Sequence, residues 1–446
     1  MDSLARANGN FALDLYRALS ADNSVGNMFF SPLSISAALS MVYLGSRGAT
    51  AKEMAEVMSF TSVPDVHTQF KSLNSAINSP KASYILRLAN RLYGEKTFKF
   101  LSEFVESTQK LYEADLQAVD FIGASDESRK LINHWVEEQT ENKIKDLLKP
   151  GMVTGMTRLA LVNAIYFKGN WLQRFNAQDT KEMPFKINKN EKKSVQMMYQ
   201  MKKFPFNYIP DYNLQVLELP YVQKELSMLV LLPPEAEDGS DPLQKLESEL
   251  TLDKLLDWTN PDHMDTGTDI IVHLPKFKLE WESSLEGLLS KMGMSSVFQP
   301  GAADLTGMSS EGGLYLSAVA HKAFVEVNEE GTEAAAATAG IIAFCMLREE
   351  HFMADHPFLF FIRHNPTNSI LFFGRLMRPV WYGLEVFFRR CLHPRGGVRC
   401  STQFISLHFA FTWHWEAVGP GDPCCGGIDD CIELQYDPPQ GGAAAR

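Results

Sequence analysis

Cysteine is nearly absent from most of this chain. Five of its six cysteines (Cys391, Cys400, Cys424, Cys425 and Cys431) lie in the last 56 of 446 residues, and only Cys345 precedes them. Residues 1–390 therefore hold no internal disulfide, as expected in a reducing compartment. No Asn-x-Ser/Thr acceptor occurs. The opening "MDSLARANGNFALDLYRALS" lacks the basic stretch and apolar core of a secretory signal. It reads instead as an amphipathic helix with Phe11, Leu15 and Leu19 on one stripe. These absences predict a cytoplasmic protein. Basic residues are also short, 42 against 54 acidic, for a net charge of −12. That excludes a general binder of nucleic acid or of acidic membrane surfaces. No run approaches the roughly 20 apolar residues of a membrane helix. The familiar enzyme signatures are missing: G-x-S-x-G, G-x-x-x-x-G-K-[ST], H-E-x-x-H and C-x-x-C. No metal or cofactor is called for, because the tail cysteines with His393, His408 and His414 match no zinc spacing. Lys189, Lys192 and Lys193, interrupted by Glu191, read as a solvated turn.

What is present is one mixed α and β pattern running to about residue 379. "FFSPLSISAALSMVYLG" is a punctuated helix, with Ser31 placed to cap, Pro32 in the first turn and Gly45 available for a left-handed end. "TRLALVNAIYFKGNW" (157–171) and "ELSMLVLLPP" (225–234) are apolar enough for buried strands. "VHLPKFKLEW" (272–281) alternates Phe277, Leu279 and Trp281 against Lys276, Lys278 and Glu280, the pattern of one half-buried strand. "KAFVEV" (322–327) alternates likewise. "PFLFFIRHNPTNSILFFGRL" (357–376) reads as a buried hairpin turning at Asn365, Pro366 and Asn368. Residues 380–446 hold no sustained periodicity, are rich in Gly, Pro and Cys, and read as a poorly ordered tail.

Between Val327 and Pro357 lie close to thirty residues without a clear element, a length that is usually functional. They contain "EEGTEAAAATAGIIAFCMLREE" (329–350). Taken alone, the alanines suggest a surface helix. Cys345 could be a nucleophile served by His351 or His321, but a catalytic thiol needs a rigid pocket that lowers its pKa, and a long loop flanked by Glu349 and Glu350 offers none.

"GTEAAAATAGIIAFCML" resembles the hinge and reactive-centre loop of the serpins, and the likeness extends through residues 1–379. "NMFFSPLSISAALSMVYLGSRGATAKEM", "LVNAIYFKGNW" and "ADHPFLFFIRHNPTNSILFFGRL" resemble the family's second-helix region, central strand and C-terminal signature. The leaderless start is similar to the intracellular, ovalbumin-like branch. The resemblance implies an α+β fold of three β-sheets with eight or nine helices and an exposed loop at about residues 329–356. It implies a protease inhibitor, not an enzyme, acting as a monomer through suicide trapping. Target serine proteases, elastase-like and chymotrypsin-like, would be held in covalent complex. The hinge is then Gly331, Thr332, Glu333, Ala334, Ala335, Ala336, Ala337 and Thr338. The reactive bond is Cys345–Met346, with Phe344–Cys345 the adjacent choice. Ser31, Ser34, Asn163 and His321 match the family's shutter, and Trp171 and Lys168 its breach; read plainly, they are also buried polar groups needing hydrogen bonds. Small inward side chains at Thr332, Ala334, Ala336 and Thr338 suit a strand sliding between packed neighbours. Fifteen residues from Gly331 to Cys345 reach about 50 Å when extended. A non-inhibitory serpin is the alternative; such relatives tend to carry charged or bulky hinges, and this one carries alanine from 334 to 337.

Overall fold

The computed structural model describes residues 2–79, 81–235, 242–332 and 349–380. Continuous apolar runs become strands buried on both faces, while of the alternating ones Phe277–Ser284 lies at a sheet margin and Asp269–Pro275 and Leu316–Val327 lie inside their sheets. Nine α-helices and sixteen strands form among the described residues, and the strands make three sheets. The main sheet has the order Phe277–Ser284, Leu316–Val327, Leu159–Asn170, Ile85–Glu95, Leu116–Val119, with a short strand Gly331–Thr332 paired to Leu159–Asn170. A six-stranded sheet contains the expected hairpin, Phe358–His364 and Ser369–Leu376, turned by a 3-10 segment Asn365–Thr367. A four-stranded sheet has the order Glu349–Met353, Asp269–Pro275, Glu191–Lys203, Lys181–Asn188.

The helix Pro32–Gly45 is apolar nearly all round, so it can only be an interior helix. It contacts both the main and the six-stranded sheet, where Phe372 stacks on Phe29 at 5.1 Å and meets Phe167 at 5.7 Å. Ser31 caps it as expected, its hydroxyl accepting from Ser34 N. Gly45 does not take the left-handed position; Ser46 leaves the helix in extended backbone. Glycine is needed there for space, because a Cβ would lie 2.1 Å from Met308 Cγ.

The single strand expected over 272–281 is two. Asp269–Pro275 belongs to the four-stranded sheet and Phe277–Ser284 to the main sheet. Pro275 cannot donate to a ladder, and the chain changes sheets beside it. The alternation resumes one residue out of phase, with Ile270, Val272 and Leu274 buried before Pro275 and Phe277 and Leu279 after it. Among the described residues no helix is long and apolar enough to cross a membrane.

Candidate functional site: the seam of the main sheet

Two neighbouring strands of the main sheet, Leu159–Asn170 and Leu316–Val327, run parallel and pair from Leu159/Leu316 up to Tyr166/Phe324. Above that point they part. The chain turns back after Val327 through an Asn328–Gly331 bridge, and Gly331 and Thr332 enter as an antiparallel strand opposite Asn170 and Gly169. Gly331 has φ +130°, and a Cβ there would meet Gly169 O at 2.2 Å and Trp171 N at 2.7 Å. Only glycine permits this close an approach of three backbones.

Around the entry, Trp171 is buried and stacked on Tyr221 with centroids 4.6 Å apart. Its indole N–H donates to Asn328 O at 3.0 Å, and its backbone N–H donates to Glu330 O at 2.9 Å. Glu329 is held by Lys276 at 2.9 Å and by the Thr180 hydroxyl at 2.8 Å. Burial pushes its carboxyl up, but the hydrogen bonds from Lys276, its own backbone and Thr180 outweigh burial and leave it below the ordinary glutamate range. Lys168, half-buried and opposite Ile85, is the next position along the strand that Gly331 and Thr332 have begun to pair with.

Lower in the seam Ser31, Ser34, Asn163 and His321 come together, all buried. His321 Nε2 accepts from Ser31 N at 3.3 Å, so the ring proton sits on Nδ1 and is donated to Asn163 Oδ1. Asn163 Nδ2 donates to Asn90 Oδ1 and to Ser34, whose hydroxyl and carbonyl oxygens lie 2.5 and 3.2 Å away. The Ser31 hydroxyl donates to Leu371 O at 2.6 Å in the six-stranded sheet. Burial pushes the His321 imidazole down to about 3. A neutral ring with both nitrogens engaged cannot serve as a general base, which removes His321 as a partner for Cys345; His351 is exposed on Glu349–Met353.

One polar row thus crosses three strands in register, Asn90 opposite Asn163 and Asn163 opposite His321. Asn90, Tyr221, Lys276, Thr180 and Glu329 were missed from sequence. The signal available for Asn90 was an amide within an otherwise strand-like run. Lys276 and Thr180 give none, since their partner is distant in the chain. Glu333 to Thr338 of the hinge, and Phe344, Cys345 and Met346, lie outside the described residues, as do residues 381–446 of the tail.

A family model described as Serpin (serine protease inhibitor) matches residues 6–379. The chain is 56% identical over 380 residues to leukocyte elastase inhibitor of Xenopus tropicalis, covering 85% of this chain and all of that one. Among solved structures it is similar to uncleaved ovalbumin, with TM-score 0.77 and 37% identity over 84% of this chain and all of that one. It is also similar to a loop-inserted, cleaved ovalbumin mutant, with TM-score 0.75 and 36% identity over 84% of this chain and all of that one. With its three sheets, parted seam and glycine-led entry strand, the chain belongs to the serpin family.

Proposed function

We propose that this protein inhibits serine proteases of elastase-like and chymotrypsin-like type as a suicide substrate. The protease attacks the loop at Cys345–Met346, or at Phe344–Cys345, and forms an acyl-enzyme. The freed hinge then enters the main sheet and carries the protease, still esterified, away from the geometry that would hydrolyse it. A small uncharged Cys345 suits an elastase-type pocket, and Phe344 suits a chymotrypsin-like one. The name carried by the frog relative fits the first of these.

The observation that carries the reading is the entry strand. Gly331 and Thr332 already occupy the first two places of a guest strand. Continued downward, the register on Leu159–Asn170 brings Glu333 opposite Lys168, Ala336 opposite Ile165 and Thr338 opposite Asn163. Continued from the Asn328–Gly331 bridge, the register on the other neighbour brings Thr338 opposite His321. Asn163 and His321 already face each other, so two independent registers converge on one position. The faces agree as well, since Phe167 and Ile165, beside Ala334 and Ala336, point into the main core. The serpin domain on this reading is 1–379, active as a monomer.

Mixing the purified chain with elastase and with chymotrypsin tests this. A complex of one protease and one inhibitor that survives SDS, with cleavage after Cys345 or Phe344, is expected. Steady turnover of the loop without a stable complex would leave a non-inhibitory serpin instead.

A further inference from the structure

The four-stranded sheet ends on an open edge. Its outermost strand, Glu349–Met353, pairs with Asp269–Pro275 alone. A cleft of about 350 Å3 lies between this strand and the turn joining Phe206–Ile209 to Leu214–Pro220, and its lining includes Tyr208, Asn213, Gln215, His351 and Met353. Gln215 Nε2 donates to His351 O at 3.0 Å, standing in for one bond that a neighbouring strand would make. Tyr208 stands out in this lining. It leaves 47% of its surface exposed, and among the described residues no other Phe, Tyr or Trp is exposed. Its hydroxyl donates to Asn213 Oδ1 at 2.8 Å, so the ring is already fixed and little side-chain entropy would be lost on contact. Fixed tyrosines at the lip of a cleft are typical anchors of protein interfaces.

Unmatched charge lies at the end of the cleft that leads to the loop. Inside, Lys186 is already taken by Glu235 at 2.6 Å and by Asp355 at 3.1 Å. By the period of two, Glu349 shares a face with His351 and Met353, and the alternate Phe352 is buried. Glu349 sits opposite Asp269 on the parallel neighbour. Neither carboxylate has an ion pair or hydrogen bond among the described residues. Lys203, across from Asp269 on the other side, gives its ammonium to Gly267 O at 2.6 Å instead. Like charges abreast weaken a sheet, so a cation arriving from outside would relieve this pair.

Position supplies the occupant. Glu349 follows Met346 by three residues, at most about 11 Å of chain. A protease domain of about 200 residues has a radius of gyration of about 16 Å, so one bound at Cys345–Met346 reaches the start of this strand and the cleft beside it.

We propose that this cleft is a second contact site for the target protease, with Tyr208 as its anchor and Glu349 with Asp269 holding a basic side chain that the protease carries beside its subsites for residues after the scissile bond. The inference rests on the inhibitory reading above, which places the reactive bond. The site selects among proteases that cut the same loop, because it reads a surface charge that the specificity pocket does not touch.

The test is the Kd of the full-length chain for elastase whose catalytic serine is replaced by alanine, which docks without reacting. Tyr208→Ala should weaken binding about tenfold. Glu349→Gln combined with Asp269→Asn should weaken it about fivefold and flatten its dependence on salt. That double variant should melt no lower than the parent, since it removes a repulsion, and it decides the matter if Tyr208→Ala fails to fold. Glu103→Gln, exposed on the distant helix Ser102–Tyr112, should bind like the parent. Parental affinity in the double variant, or in a folded Tyr208→Ala chain, overturns the proposal, and so does an equal loss in Glu103→Gln, which would mean that net charge alone is felt. A parent chain that binds the inactive protease but forms no SDS-resistant complex with the active one would overturn the inhibitory reading and leave the contact site standing.

Discussion

Replacing Ala336 with arginine is the sharpest test of the seam. On the insertion reading the continued registers would bring position 336 between Ile165 and Ala323, which are 2% and 0% exposed. Nothing acidic belongs to that face of the two strands, where Phe167, Ile165, Ala323 and Val325 join the main core. A guanidinium forced there would be buried without a partner, at a cost of about 3–5 kcal/mol. Carried into the barrier for insertion at about 1.4 kcal/mol per decade, this slows insertion roughly a thousandfold. Deacylation then wins, and the inhibitor becomes a substrate cut at the same bond. Ala335→Arg is the control. Its neighbours would be the buried Tyr166 and the half-buried Phe324 on the opposite face, so its long side chain can reach toward solvent only past Phe324, and the loss should be smaller than at position 336. The assay is the fraction of protease in SDS-resistant complex against the fraction of inhibitor cleaved. An Ala336→Arg chain that traps protease as well as the parent would refute the register.

Gly331→Ala should unseat the entry strand, since its Cβ would meet three backbone atoms within 2.7 Å; a lower melting temperature and slower complex formation are expected, and unchanged values for both would show that the seating is dispensable. Acid should destabilise the fold through His321. Its folded value of about 3 lies below the ordinary histidine value near 6.5, so stability is complete above about pH 6.5 and falls as pH drops from there toward 3. At pH 5.5 this one group removes about 1.4 kcal/mol, and His67 and His364, pushed down to about 4 by burial, act in the same direction. Melting curves at pH 7 and 5.5 check the sign, and a higher midpoint at pH 5.5 would contradict it. Mild peroxide treatment should reduce inhibition of elastase more than of chymotrypsin, because charge on Cys345 blocks a small pocket there but sits beyond the bond when Phe344 is read; equal losses would count against two adjacent bonds. A chain ending at Val380, which keeps the bond from Lys278 N to Val380 O, should melt and inhibit like the full one, and insolubility would move the domain boundary.

The seam's own strands were legible because their signals are local. "TRLALVNAIYFKGNW" is too apolar to be anything but interior, and Ser31 with Pro32 marks a helix start without help from the rest of the fold. The shutter was reached only through resemblance, since nothing in the spacing of Ser31, Asn163 and His321 brings residues more than a hundred positions apart into one row. The division of 272–281 between two sheets was illegible for another reason. Alternation reports which side of a strand is buried but not which sheet buries it, and the only local sign of the break is a one-residue shift of phase, from Ile270, Val272 and Leu274 to Phe277 and Leu279.

The directions of the strands in the main sheet limit where any guest could go. A strand bonded favourably on both sides prefers neighbours that run opposite to it, and that is possible only between two hosts that are parallel to each other. The sheet offers two such places. One, between Ile85–Glu95 and Leu116–Val119, is only four paired residues long. The other is the seam, where Leu159–Asn170 and Leu316–Val327 share a parallel ladder. Admitting one strand there exchanges a single ladder of the weaker kind for two of the stronger kind, with no other pairing in the sheet disturbed. On the insertion reading the protein stores an unfinished sheet whose vacancy has a fixed address and a fixed polarity, and the segment proposed to fill it follows directly on Gly331 and Thr332, which are paired at its mouth.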